Sequence, residues 1–281
     1  MNEPATKVTS KQIELKVLKL PTISQHGMKA LEIINEDDLK MNDLESALSA
    51  DPMLMGILLK YANSPMYRKF VEIKNVRKAI NLLGVDIVKS AILICTMRSY
   101  CEPSNPTKEM LWEKSIKLSI MAKIIASGIS RRLAEEVELS AMMSQIGGLV
   151  LSTNFQEEYS EVVESALENE TTLEEQEERV FGVSRAEVTV YALEKLRLPS
   201  VIISTLSSFY QKDLLQNDAE ETSKYVDVLK LARLLIELED LSSFDGNVEV
   251  MSLIELLGLN IDKVDDFIAE YNEKMEEGFS F

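Results

Sequence analysis

Hydrolytic and transfer chemistry start from a short set of side chains, and this chain of 281 residues is poor in most of them. It carries one histidine, His26, and two cysteines, Cys95 and Cys101. A metal centre that activates water needs several imidazoles and carboxylates converging on an Fe, Mn or Zn ion. His26, beside Gly27 at the start of the first expected helix, is read as an exposed or capping residue. A carboxylate-only centre for Mg or Mn would need several acids facing one cleft, and the apolar helices do not supply them. Ser115, Ser119 and Ser144 have no base other than His26, and no Gly-x-Ser-x-Gly elbow occurs, so an acyl-transfer triad is not expected. Glu187 could serve as a general base, but it stands at the third position after Ser184 in a capping box, and the structural role is preferred. No glycine loop of the phosphate-cradling kind is present. The cysteines lack CxxC spacing and are expected as reduced thiols. We therefore expect no catalytic residue, no metal and no cofactor.

The elements that would position these side chains are helices. Apolar residues recur at helical spacing along most of the chain, strand alternation is nearly absent, and start and stop signals are frequent. Leu20-Pro21 opens a helix over 24–34, and Asn42 with Glu45 three residues on caps a second. Asp51 as cap with Pro52 in the first turn starts a strongly apolar third over 53–62, which stops before Pro65. Asn75 caps a fourth that Gly84 ends, and 85–97 forms a fifth. Pro103 and Pro106 then break the chain, which places a lobe boundary there. Beyond it, helices are expected over 108–127 and 132–151, the second with Gly147-Gly148 near its end, a pair that suggests close packing or a kink. Residues 157–178 hold ten glutamates and neither lysine nor arginine. Because Tyr159, Val162, Val163, Ala166 and Leu167 keep a helical stripe, the glutamates are read as a solvated face. Thr172-Leu173-Glu174-Glu175 and Ser184-Arg185-Ala186-Glu187 match the capping box, Pro199 begins another helix, and three more are expected over 221–241, 252–257 and 262–277. Met53, Met55, Met66, Met121, Met142 and Met143 sit at helical spacing and are read as core. The formal charge of −17 repels nucleic acid and anionic membrane surfaces. The first twelve residues are polar and no apolar run approaches the ~18 residues of a membrane span, so the expectation is a soluble, cytoplasmic protein.

Several stretches, in order, resemble the HDOD family, the HD-related output domain of bacterial signal-transduction proteins. They are Leu20-Pro21, Asp51-Pro52-Met53-Leu54, Leu58-Leu59-Lys60-Tyr61-Ala62-Asn63-Ser64 and Ala79-Ile80-Asn81-Leu82-Leu83-Gly84 in the first lobe. In the second lobe they are Leu111-Trp112-Glu113-Lys114-Ser115, the Met142 to Leu151 stretch with its Ile146-Gly147, and Phe181-Gly182-Val183-Ser184-Arg185-Ala186-Glu187-Val188 followed by Leu198-Pro199. The resemblance implies an all-α, HD-like fold over 18–240, in lobes of about 18–103 and 107–240. A segment 1–17 precedes it and a helical extension 241–281 follows. It also implies a regulatory module acting through an unknown protein partner in a signalling pathway. Where HD enzymes of the resemblance carry metal ligands, this sequence has Lys114, Ser144, Gln145 and Arg185. These four are the candidate contacts of a vestigial pocket, either turned out to water on long stems or holding a phosphate-containing ligand. Between Lys60 and Arg98 stand eight basic residues against two acidic ones. Lys69, Lys74 and Arg77 are thus a candidate docking face for an acidic partner, with a solvated charge set as the alternative.

Overall fold

The computed structural model describes residues 14–34, 36, 38–63, 72–101, 104–196, 198, 200–210, 220–238 and 247–276. Among these there is no strand, and the helices fall into two compact units, Pro21–Tyr100 and a larger one comprising Met1–Leu20 with Cys101–Phe279.

The smaller unit holds α1 (Gln25–Ile34), α2 (Met41–Ser49), α3 (Pro52–Asn63), α4 (Val76–Leu83) and α5 (Val85–Tyr100). Asp51 starts α3 as the sequence suggests, its Oδ1 accepting from the backbone N–H of Met53 at 3.0 Å and Leu54 at 3.2 Å. Its other oxygen accepts from Ser24 Oγ at 2.8 Å, which joins the starts of α1 and α3. Asn75 caps α4 through Lys78 N. The second expected cap is different: Lys40 precedes α2 without a side-chain cap, and Asn42 instead accepts from Arg77 Nη2. α5 is the core of this unit, with Val88, Ala91, Ile92, Leu93, Ile94 and Met97 all buried. Its β-branched residues suit a helix whose stability comes from packing and not from propensity. Cys95 lies in that core, and burial followed by the charge of Asp51 pushes its thiol up to about 12, so it stays protonated and unreactive. Asn63 at the end of α3 bonds the backbone of Ile73, donating to its carbonyl and accepting from its N–H, each at 2.7 Å.

The larger unit holds α6 (Pro106–Ser127), α7 (Arg131–Met143), α8 (Ile146–Asn154), α9 (Gln156–Glu168), α10 (Leu173–Phe181), α11 (Arg185–Lys195), α12 (Ser200–Phe209), α13 (Glu220–Glu237), α14 (Val248–Leu256) and α15 (Lys263–Glu276). α6 is its axis, packed by α7, α8, α13 and α15. The sequence suggested one helix over 132–151; the chain instead breaks at Ser144 and Gln145 into α7 and α8. The turn leaves the Ser144 carbonyl without a helical partner, and the Tyr210 hydroxyl donates to it. The expected extension beyond 240 supplies α14 and α15, which pack on α13 and α6. At the other end of the unit, Asn154 clamps the backbone of Lys19, accepting from its N–H at 2.8 Å and donating to its carbonyl at 2.9 Å. Among the described residues no single helix is long and apolar enough to cross a membrane.

Gly56 lies exposed inside α3, and a Cβ added there meets nothing within 4 Å. Gly56→Ala should raise stability by about 0.5–1 kcal/mol, since it removes backbone freedom from the unfolded chain without a clash. Chemical denaturation of the two proteins checks this.

Candidate functional site

The site grows from two helix starts. Thr172 and Glu175 close a reciprocal capping box at the head of α10, and Ser184 and Glu187 close another at the head of α11. Between them Gly182, at φ 67, ends α10 in the left-handed conformation that glycine adopts without penalty. The chain reverses over three residues, so Arg185 becomes the first residue of α11 and lies back against α10. A cation at a helix N-terminus opposes the helix dipole. Something else must hold it there.

Arg185 is 1% exposed. Its Nε donates to Glu177 Oε2 at 2.8 Å and its Nη2 to Glu177 Oε1 at 2.5 Å, a forked pair with a carboxylate that is itself fully buried. Nη1 donates to Gln145 Oε1 at 2.7 Å and to Glu174 Oε1 at 2.8 Å, while Nη2 also reaches the Tyr159 hydroxyl at 3.2 Å. A guanidinium has five N–H donors. All are therefore engaged by oxygens of the chain. Tyr159 in turn donates to Glu177 Oε1, and Phe181 stacks on its ring with centroids 6.2 Å apart.

Two glycines make room for this. A Cβ on Gly148 would stand 2.9 Å from the Tyr159 hydroxyl and 3.1 Å from Arg185 Nη2. On Gly147 it would stand 2.5 Å from Thr189 Oγ1 and 2.7 Å from the Arg185 carbonyl. The pair lets α8 lie directly on α11, which is the close packing that the sequence hinted at.

Burial works against the charge on Arg185, but Glu177 and then Glu174 more than offset it, and the guanidinium is held charged well above its ordinary range. Burial pushes Glu174 up, yet Arg185 and then its own backbone N–H pull it down further, so its carboxyl titrates below the usual carboxylate range. Burial, then Arg185, lowers Lys114. Tyr159 is raised by burial and by Glu177, and Tyr210 is raised by burial.

Of the four candidate pocket residues, Ser144, Gln145 and Arg185 are buried. Gln145 and Arg185 bond directly, and Ser144 meets Gln145 at 3.4 Å. Lys114 is exposed on α6. Arg185 does not reach for water on a long stem, as one expectation had it, and no N–H of it is left to face a ligand. His26 is exposed on α1, in the smaller unit. In the candidate docking face, Arg77 is bonded to Glu45 Oε2 at 2.6 Å and Lys74 pairs with Glu72 at 3.0 Å; Lys69 lies outside the described residues. Glu187 serves its capping box, as expected.

The sequence reading missed Glu177, Glu174 and Tyr159 as members of the site. The signal was there for Glu177: it stands four residues after Leu173 and four before Phe181, on the buried stripe of α10. A charged residue in phase with a core stripe needs a buried partner. Among the described residues no group of three or more His, Cys, Asp or Glu side chains is placed to hold a metal ion. The donor set at the matched positions, an ammonium, a hydroxyl, an amide and a guanidinium, does not fit one.

The all-helical fold is shared with solved proteins. An HDOD domain protein of unknown function from Geobacter sulfurreducens superposes with a TM-score of 0.68 at 21% identity, covering 92% of this chain and 91% of its own. A Marinobacter aquaeolei protein provisionally named for signal transduction gives 0.68 at 18% identity, over 96% of this chain and 62% of its own. A Shewanella amazonensis protein provisionally named a metal-dependent phosphohydrolase gives 0.62 at 19%, over 92% and 95%. The model of the HDOD domain matches residues 20–212, and this chain belongs to that family. A curated relative from Treponema pallidum is 19% identical over 226 residues, and the match spans 79% of this chain but 44% of that protein's length.

Removing one partner of a buried pair leaves the other charge uncompensated, which costs about 3–5 kcal/mol. Arg185→Met and Glu177→Gln should each destabilise on this scale in urea, and the double variant should lose much less than their sum. Glu174 has a depressed folded pKa, so its contribution is complete above the unfolded carboxylate pKa and is lost as pH falls through the folded value. Acid unfolding followed by circular dichroism should therefore show a shallower pH slope below the ordinary carboxylate range in Glu174→Gln.

Proposed function

We propose that this chain is a non-catalytic regulatory module of a signalling pathway, working in the cytoplasm and acting by contact with another protein. The observation that carries this reading is the Arg185 guanidinium. It fills, with all its donors engaged, the place where the HD resemblance would put a metal ligand. A fixed cation bonded to two carboxylates can neither exchange a water nor lower its pKa, which are the two things that a hydrolytic metal does. The ligand set around it supports the same reading, since Lys114, Ser144 and Gln145 offer no imidazole or carboxylate. The provisional signalling name of the Marinobacter relative agrees with it, and the two buried cysteines, free of any disulfide, are in keeping with a reducing compartment. The phosphohydrolase name of the Shewanella relative marks the competing possibility.

Purified protein incubated with Mg, Mn, Fe or Zn should hydrolyse neither nucleotides nor a chromogenic phosphodiester, and elemental analysis should find no stoichiometric transition metal. One bound metal per chain, or turnover that a chelator abolishes, would sink the proposal.

A further inference from the structure

α14 is apolar almost all round. Six of its nine residues are Val, Met, Leu or Ile, whereas a surface helix keeps such residues on one stripe. Val250, Leu253 and Ile254 supply that stripe: they are buried, and α14 packs on α13. The opposite side repeats the pattern in solvent. Val248, Met251, Ser252, Glu255 and Leu256 follow the i, i+3, i+4, i+7, i+8 spacing of a single helix face, and all five are exposed. Val248 is 83%, Met251 37% and Leu256 66% exposed, three of the seven large apolar side chains that stand exposed among the described residues. The other four, Val17, Met28, Met53 and Leu167, are scattered singly over four other elements, which is ordinary for a protein surface. α14 lies beyond residues 20–212, the stretch shared with the family, so its outer face belongs to the extension of this chain.

We propose that this outer face of α14 is a docking surface for an amphipathic helix of another protein, one whose apolar stripe is flanked by lysine or arginine. A helix with apolar residues on both sides needs cover on both. The charges on its outer side decide what covers it. Glu255 stands within the face and Glu249 at its edge, both exposed, and neither is in an ion pair among the described residues. No basic residue occurs from Asn247 to Asp262. A second copy of this chain is therefore a poor occupant. Paired antiparallel about Ser252, the face sets Glu255 of one copy against Glu249 of the other, and paired parallel it sets Glu255 against Glu255; like charges brought together in an interface are penalised. A partner helix that lays an apolar stripe across Val248, Met251 and Leu256 and a basic side chain over Glu255 meets both demands, with anchors at the i, i+3, i+4 and i+7 spacing of helix recognition. The formal charge of −17 attracts the same partner from a distance. The inference rests on the reading of this chain as a module that acts by protein contact, and it gives that contact a place and a chemistry.

The probe is a synthetic amphipathic peptide of leucine and lysine, about 18 residues long so that it can hold a helix, with a counterpart that has glutamate in place of lysine. Calorimetry of the full chain measures binding, and hydrogen exchange locates it. The lysine peptide should bind one-to-one and slow amide exchange in α14. Its affinity should fall at least about ten-fold in the double variant Val248→Ser, Leu256→Ser, and as far in Glu249→Gln, Glu255→Gln. All four side chains are exposed, so both variants should stay folded, which melting temperatures check. Leu167→Ser, which removes another exposed leucine near Glu164 and Glu168 on α9, should leave binding unchanged. No binding of the lysine peptide, a loss as large in Leu167→Ser, protection confined to helices other than α14, or equal binding of the glutamate peptide overturns the proposal. So does a dimer in sedimentation that Leu256→Ser dissociates, which would put a second copy on the face. None of these results bears on the turnover and metal assays, so this proposal can fail while the non-catalytic reading stands.

Discussion

A guanidinium removed from water must be met by carboxylate and by hydrogen-bond acceptors on every side, and the larger unit is arranged around that requirement. Arg185 satisfies it with oxygens from α9, α10 and the turn before α8. Each provider then needs its own support. Tyr159 is held by Phe181 and Glu177, Gln145 is presented by a break between two helices, and that break is stabilised by Tyr210 from the end of α12. Such a network is worth having only when complete, because the low dielectric that strengthens each bond also raises the cost of an unpaired member. The complete set of donors on Arg185 fits that rule.

The fold was legible because helical periodicity and caps are local. Asp51-Pro52, Asn75, Thr172 and Ser184 each announce a helix start from within four residues, and each start is where it was expected. The misplaced boundaries have equally local causes. Asn42 has cap chemistry but is taken by Arg77, thirty-five residues away, and the break at Ser144 is held by Tyr210, sixty-six residues away. Nothing near either position reports such a partner.

The site was half legible. The four matched positions drew attention to Arg185 and Gln145, which do meet. The acidic half of the cluster was hidden in a run of glutamates whose other members face solvent, and only phase along α10 separates Glu177 from its neighbours. Composition had suggested a surface; register placed one charge inside it. The same holds for the basic segment of the smaller unit, where an apparent excess of positive charge is locally matched at Arg77 by Glu45 and at Lys74 by Glu72.

The two glycines of α8 carry a consequence for the history open to this sequence. Gly147, Gly148, Glu177 and Arg185 fit one another so closely that single exchanges among them are costly. Exchanging Arg185 alone strands a buried carboxylate, exchanging Glu177 alone strands a buried cation, and adding a methyl group at either glycine drives it into α11 or the Tyr159 hydroxyl. Each such step costs about 3–5 kcal/mol when it breaks the ion pair, out of the 5–15 kcal/mol typical of a whole domain. A lineage that has acquired this arrangement is held in it as by a ratchet. A route from this arrangement to any other would have to change several of these positions together.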